Sequence, residues 1–186
     1  LDRVHLDIGE IRTLHHAGAG VSHNPSSNLK LASGFAPVVK MLDAGLNVGI
    51  GTDGPASNND LDMFEEVRLA AFIAKAVTND PTSLPAPQAL LMATRLGAQA
   101  LHLGHLTGSL TPSRRADLIL VDLSPVHNSP SFRRSPDNTY AQIVYASKST
   151  DVTDVMINGK WVMRERQLLT LKEDELLAQA ADLAKQ

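Results

Sequence analysis

An α/β fold is predicted for this chain by three observations. Helical and strand patterns alternate from its start, the loops joining them are short, and after Gly108 the texture changes to apolar runs around an Asn-Gly dipeptide. Alternation with short connections calls for parallel strands and crossover helices, because parallel neighbours cannot be joined by tight hairpins.

The elements follow in order. Ile8, Ile11 and Leu14 recur at helical spacing between Leu6 and Ala17, and Gly18 and Gly20 stop that helix. Ala19 to His23 is a strand, broken by Asn24-Pro25. Val38 to Ala44 is a second helix ended by Gly45. Asn47 to Gly51 is the next strand, Thr52 to Asn59 a loop, and Leu61 to Val77 a long helix. Two short helices follow, over about 86–94 and 95–102, after the Asn79-Asp80-Pro81 and Pro85-Ala86-Pro87 breaks. Beyond Gly108, Ala116 to Leu123 and Tyr140 to Ala146 are predicted as strands, and Val152–Ile157 with Lys160–Met163 as a hairpin across Asn158-Gly159. Leucines and alanines at helical spacing make 172–185 an amphipathic terminal helix. The chain divides accordingly into 1–108 and 109–186.

Composition narrows the function. The 186 residues, 43% of them apolar, suffice for a sizeable core. Seventeen basic and twenty acidic side chains, with no basic run, give no footprint for nucleic acid or an anionic membrane. The absence of cysteine excludes disulfides, thiolate metal sites and cysteine nucleophiles, and fits a reducing, cytoplasmic setting. No apolar run approaches the roughly 18 residues of a membrane span, and Leu1-Asp2-Arg3-Val4-His5 does not have the form of a signal peptide. A start without methionine, running directly into a helical pattern, leads us to expect the C-terminal portion of a longer protein.

The chemistry-bearing candidates lie at strand ends, where parallel α/β folds gather their ligands. Asp53 stands just past the strand Asn47 to Gly51, among glycines. A carboxylate there needs a cation or hydrogen-bond donors, which allows a metal or proton-transfer role; a helix-cap or loop aspartate satisfied by backbone amides is the alternative. His23 holds the matching position after the preceding strand, as a structural hydrogen-bonder or a group facing the same mouth. Ser26, Ser27 and Asn28 are turn formers or substrate contacts. His15 and His16, adjacent on a helix, diverge and cannot chelate as a pair. His102 and His105 suit a helix end, and His127 stands alone in a loop. There is no HxH, HExxH, GxSxG or GxxxxGK[ST].

Three stretches, Val4-His5-Leu6, Val21-Ser22-His23-Asn24-Pro25-Ser26-Ser27-Asn28-Leu29-Lys30-Leu31 and Gly51-Thr52-Asp53-Gly54-Pro55-Ala56-Ser57-Asn58-Asn59-Asp60-Leu61-Asp62-Met63, closely resemble the amidohydrolase superfamily. Within it they are most similar to the 5-methylthioadenosine/S-adenosylhomocysteine deaminases and their triazine-hydrolase relatives. Gly108-Ser109-Leu110, Ala116 to Asp122 and Val155 to Lys160 resemble the C-terminal segments of the same group. The resemblance implies the C-terminal part of a (β/α)8 barrel, a β-sandwich segment with a terminal helix, and one divalent metal, usually zinc. It makes Asp53 the metal ligand and proton acceptor at the end of the last barrel strand. His23, Ser26 and Asn28 become substrate-binding or supporting groups around it, and the substrate an adenosine-like nucleoside.

The family's remaining ligands, an HxH pair and a further histidine, and its substrate-binding glutamate would all precede Leu1. Asp2 stands where the family pattern, as in His-Cys-Val-His-Leu, has a proton-shuttling histidine. A whole barrel needs about 200 residues or more, so the expected partner is the missing N-terminal half or a second copy of the chain. The alternatives are a catalytically silent assembly module and an aminohydrolase of triazine or guanine type.

Overall fold

A computed structural model describes residues 4–130 and 135–185. Asp2 and its expected role lie outside the described residues.

The first helix, α1 (Ile8–His16), starts at a reciprocal cap: Glu10 N donates to Asp7 Oδ1 at 2.8 Å and Asp7 N to Glu10 Oε2 at 2.9 Å. It buries Ile11 completely. Strand β1 (Gly20–His23) follows, and the Asn24-Pro25 break opens directly into a short helix, α2 (Pro25–Lys30), where proline's missing N–H costs nothing. Helix α3 (Val38–Asp43) leads to β2 (Asn47–Ile50). The two strands pair in parallel, with Val21 opposite Val48 and His23 opposite Ile50, and both valines are buried. Their C-terminal ends therefore share one rim.

The predicted loop 52–59 contains a single helical turn, α4 (Pro55–Asn58). The long helix α5 (Met63–Thr78) is capped by Asp62, whose side chain accepts from the Phe64 and Glu65 amides, and it ends at Asn79 in the left-handed conformation. Its buried stripe is Glu66, Val67, Ala70, Ala71 and Ala74, one helix face in spacing. Helices α6 (Ala86–Ala93) and α7 (Arg95–Ala100) complete this half; α7 lies so close on the strands that Gly49 faces the Gly97 backbone and Gly20 the Ala100 carbonyl.

After β3 (Leu118–Val121), the segment expected as a strand over Tyr140–Ala146 is instead the end of α8 (Pro136–Tyr145). Two of the aromatic and β-branched residues that suggest a strand are packed from this helix instead. Val144 is buried in the main core, and Tyr145 stacks on Phe72 of α5 with ring centroids 5.4 Å apart. Tertiary burial overrides a modest β propensity. The hairpin forms as predicted: β4 (Val152–Ile157) and β5 (Lys160–Arg164) are antiparallel, and Asn158 and Gly159 both have positive φ, as a type I′ turn requires. With β3 and β6 (Gln167–Leu168) they make a four-stranded antiparallel sheet in the order β3-β4-β5-β6. The terminal helix α9 (Glu173–Leu183) has no buried residue, and Leu176, Leu177 and Leu183 are exposed.

The core unites Ile11, Val21, Met41, Val48, Ala71, Met92 and Val144, so α1, α3, α5, α6 and α8 enclose the parallel pair. Among the described residues, no helix is long and apolar enough to cross a membrane.

Candidate functional site

The rim at the C-terminal ends of β1 and β2 carries the groups singled out in the sequence. Past Ile50 the chain makes one more ladder bond, from Gly51 N to His23 O at 2.9 Å, and then turns out at Thr52-Asp53. Glycine is required at 51: a Cβ there would overlap Asn24 Oδ1 and come within 2.5 Å of Ser22 Oγ, two atoms already bonded to each other at 2.9 Å. Asp53 has φ +60°, the left-handed region, which aspartate tolerates better than most side chains.

Gly49, Gly51 and Gly54 also have the Gly-x-Gly-x-x-Gly spacing of a dinucleotide-binding loop, but the structure uses them differently. The first two admit α7 and the Ser22–Asn24 pair, the third has open space around it, and the helix that follows is four residues long. A carboxylate, moreover, occupies the turn that a phosphate would need to approach.

Gly54, not Asp53, is the residue that caps α4, so the helix-cap alternative for the aspartate does not hold. Its carboxylate is held mainly by hydroxyls. Ser57 Oγ donates to Asp53 Oδ2 at 2.6 Å and Ser27 Oγ donates to the same oxygen at 2.8 Å. The Ser57 and Ser27 bonds, with a further one from the Gly54 backbone, hold the carboxyl below the usual carboxylate range. Both hydroxyls converge on Oδ2, so Oδ1 receives neither. Ser27 is itself buried and belongs to α2, directly after the His23-Asn24-Pro25 turn; the aspartate and that turn face one mouth.

His23 is 4% exposed, its Nδ1 has no hydrogen-bond partner, and burial pushes its pKa down to about 4. It is a neutral imidazole at neutral pH. Asn28 is 3% exposed, and neither its Oδ1 nor its Nδ2 is bonded. Ser26 uses its backbone amide, which donates to Glu66 Oε2 at 3.1 Å. Thus Asp53 and Ser27 are joined directly, while His23 and Asn28 bring unsatisfied polar atoms to the same end of the sheet. Unsatisfied buried polar groups are uncommon and call for a partner.

Three further residues of this rim lie outside the sequence expectations. Ser57 sits four positions after Asp53, within reach across the single turn of α4. Asn58 and Glu66 are buried and bonded to each other, Asn58 Nδ2 to Glu66 Oε1 at 2.7 Å. The legible signal for Glu66 was its place on the apolar stripe of α5, where a carboxylate needs partners.

Asp53 suits one ligand position: it is exposed, ionised at neutral pH, and has an oxygen that neither hydroxyl engages. Among the described residues, no group of three or more His, Cys, Asp or Glu side chains is arranged to hold an ion. The chain therefore fits a metal as the donor of a single carboxylate and not as a complete site.

The model of the amidohydrolase family matches residues 2–162. The 5-methylthioadenosine/S-adenosylhomocysteine deaminase of Syntrophomonas wolfei subsp. wolfei is 47% identical over 182 residues, 98% of this chain and 41% of that protein. The crystal structure of an adenosine deaminase from Xanthomonas campestris with bound zinc superposes with a TM-score of 0.91 at 43% identity, covering 98% of this chain and 40% of that one. Atrazine chlorohydrolase from Arthrobacter aurescens TC1, complexed with zinc, superposes with a TM-score of 0.85 at 28% identity, over 97% and 39%. The chain thus spans about two fifths of the length of these relatives.

Proposed function

Because this chain belongs to the amidohydrolase family, we propose that it supplies the C-terminal part of a metal-dependent, cytoplasmic hydrolase that deaminates an adenosine-like nucleoside of the 5-methylthioadenosine/S-adenosylhomocysteine type. Residues 1–108 are the last part of a (β/α)8 barrel, and 109–186 are a β-sandwich segment with its terminal helix. An upstream half of the protein, or a second copy, completes both. The deaminases named among its relatives support the reaction, and the zinc bound in its structural neighbours supports the metal.

The observation that carries this reading is Asp53, placed at the end of β2 and held on one oxygen by Ser27 and Ser57. When bound, zinc supplies Lewis-acid activation of water near neutral pH. Asp53 contributes one carboxylate to it and accepts a proton from the water that attacks the amino-bearing ring carbon. The two serine hydroxyls keep that carboxylate ionised and oriented before the proton arrives. Returned to the departing amino group, the proton lets ammonia leave. His23, neutral and buried, and Asn28 and Ser26 shape the neighbouring wall, where uncharged hydrogen-bonding groups suit a nucleoside.

Asp53→Asn in the complete protein tests this, because it keeps size and backbone while removing the charge. We expect ammonia release from the nucleoside to be abolished with the melting temperature nearly unchanged; retained turnover would contradict the assignment. A second reading, an assembly module without chemistry, draws on the unburied leucines of α9. It would be favoured if the completed protein bound zinc at no site involving Asp53.

A further inference from the structure

Glu66 is the most enclosed ionisable side chain in the rim, 0% exposed, and the reaction above makes no use of it. Its two oxygens are shared between two different elements. Oε2 accepts from the Ser26 backbone amide in α2 at 3.1 Å, and Oε1 accepts from Asn58 Nδ2 in α4 at 2.7 Å. Asn58 is fixed at its other end by Leu61 N, which donates to its Oδ1 at 2.9 Å. The residues Glu66 grips adjoin those that hold Asp53: Ser27 follows Ser26, and Ser57 precedes Asn58. One buried carboxylate on the long helix α5 thus spans the two short helices whose hydroxyls converge on Asp53 Oδ2.

We infer that Glu66 is a positioning residue, a strut that sets the Ser27 to Ser57 spacing and so determines which way Asp53 points. This rests on the role proposed for Asp53. Short helices such as α2 and α4, of six and four residues, have little rigidity of their own. Besides Asp53 itself, Lys30 links them, its Nζ donating to Ala56 O at 2.9 Å and to Asn59 Oδ1, but on an exposed side chain. A buried carboxylate accepting two donors is the stiffer link, since charge-assisted bonds are stronger and water does not compete for them there.

The polarity of the bonds gives a specific test. Glu66→Gln leaves one acceptor for two donors, so an amide faces either the Ser26 N–H or the Asn58 amide. Asn58→Asp sets two carboxylates against each other. The double variant restores every bond with one direction reversed: the introduced amide donates to the introduced carboxylate, and its oxygen accepts from Ser26 N. In the complete protein, each single substitution is expected to lower kcat at least tenfold with KM changed less than about threefold, and to weaken zinc binding about tenfold. Hydrogen–deuterium exchange over residues 24–30 and 54–60 should accelerate by about tenfold in each. The double variant should return all three measurements to within about threefold of the unsubstituted protein. A single variant without these losses, or a double variant carrying the sum of both, overturns the inference. Should a single variant fail to fold, the double decides: recovery of folding and activity supports the strut, and continued failure overturns it. The exchange cycle does not depend on which reaction is catalysed. A protein that shows that cycle but releases no ammonia from nucleosides would overturn the proposed function and leave the strut standing.

Discussion

The burial of His23 makes the protein's stability depend on pH in a window of its own. Its pKa falls from 6.5 to about 4 because the imidazolium would be desolvated at the end of β1. Between those values the unfolded chain takes up a proton that the folded chain refuses, so stability decreases as pH falls through the window and levels off below it. A difference of about 2.5 units corresponds to roughly 3 kcal/mol in full, of which about 2 kcal/mol is lost between pH 7 and pH 5. The aspartates held below the ordinary range, such as Asp53 and Asp80, contribute the same sign only at lower pH. Urea unfolding followed by circular dichroism at pH 7, 6 and 5 measures the effect directly. The unsubstituted protein should lose about 2 kcal/mol across the series, and His23→Gln, which cannot take up a proton, should lose less than about 0.5 kcal/mol. Equal losses in both would refute the claim that this imidazole stays neutral inside the fold.

Three further outcomes can be measured by thermal melting. Gly20→Ala drives a Cβ into the Ala100 carbonyl and should cost about 1–3 kcal/mol or more as α7 is displaced. Gly54→Ala, with nothing within 4 Å and no positive φ, should stay within about 0.5 kcal/mol of the parent; a large loss there would mean the third glycine of that turn has a role the geometry does not account for. Asp151 is buried and accepts from Asn128 Nδ2 at 3.1 Å and Lys148 N at 2.9 Å, with His127 Nε2 at 2.7 Å. Asp151→Ala should cost roughly 2–4 kcal/mol by leaving buried donors unpaired, and a melting temperature within a degree of the parent would refute that account.

Much of this architecture is legible in local patterns. The first helix, the strands at 20–23 and 47–50, the Asn158-Gly159 hairpin and the terminal helix each follow from patterns local to their own residues. The failures are of two kinds. Helices α2 and α4 are too short to show a hydrophobic period, and they form because prolines at 25 and 55 start them and the rim holds them in place. Helix α8 reads as a strand locally and is decided by α5 and α6, which lie far away in sequence. The site divides similarly. Asp53, past β2, and His23, the last residue of β1, announce themselves as polar groups at the ends of apolar strands, whereas Ser27 reaches Asp53 across 26 positions and Glu66 reaches Ser26 across 40. No spacing rule covers such distances; the parallel pairing of two strands brings them together.

The left-handed backbone at Asp53 has a bearing on protein engineering. Asparagine and glycine are the replacements that leave the turn's shape alone. Asp53→Glu, often chosen to move an acid by one methylene, would add a conformational penalty to the change of reach, so its phenotype would confound two variables. A saturation library at this codon should therefore be scored for expression and melting before any of its members is called inactive, since most of the alphabet is disfavoured by torsion angle before chemistry is tested.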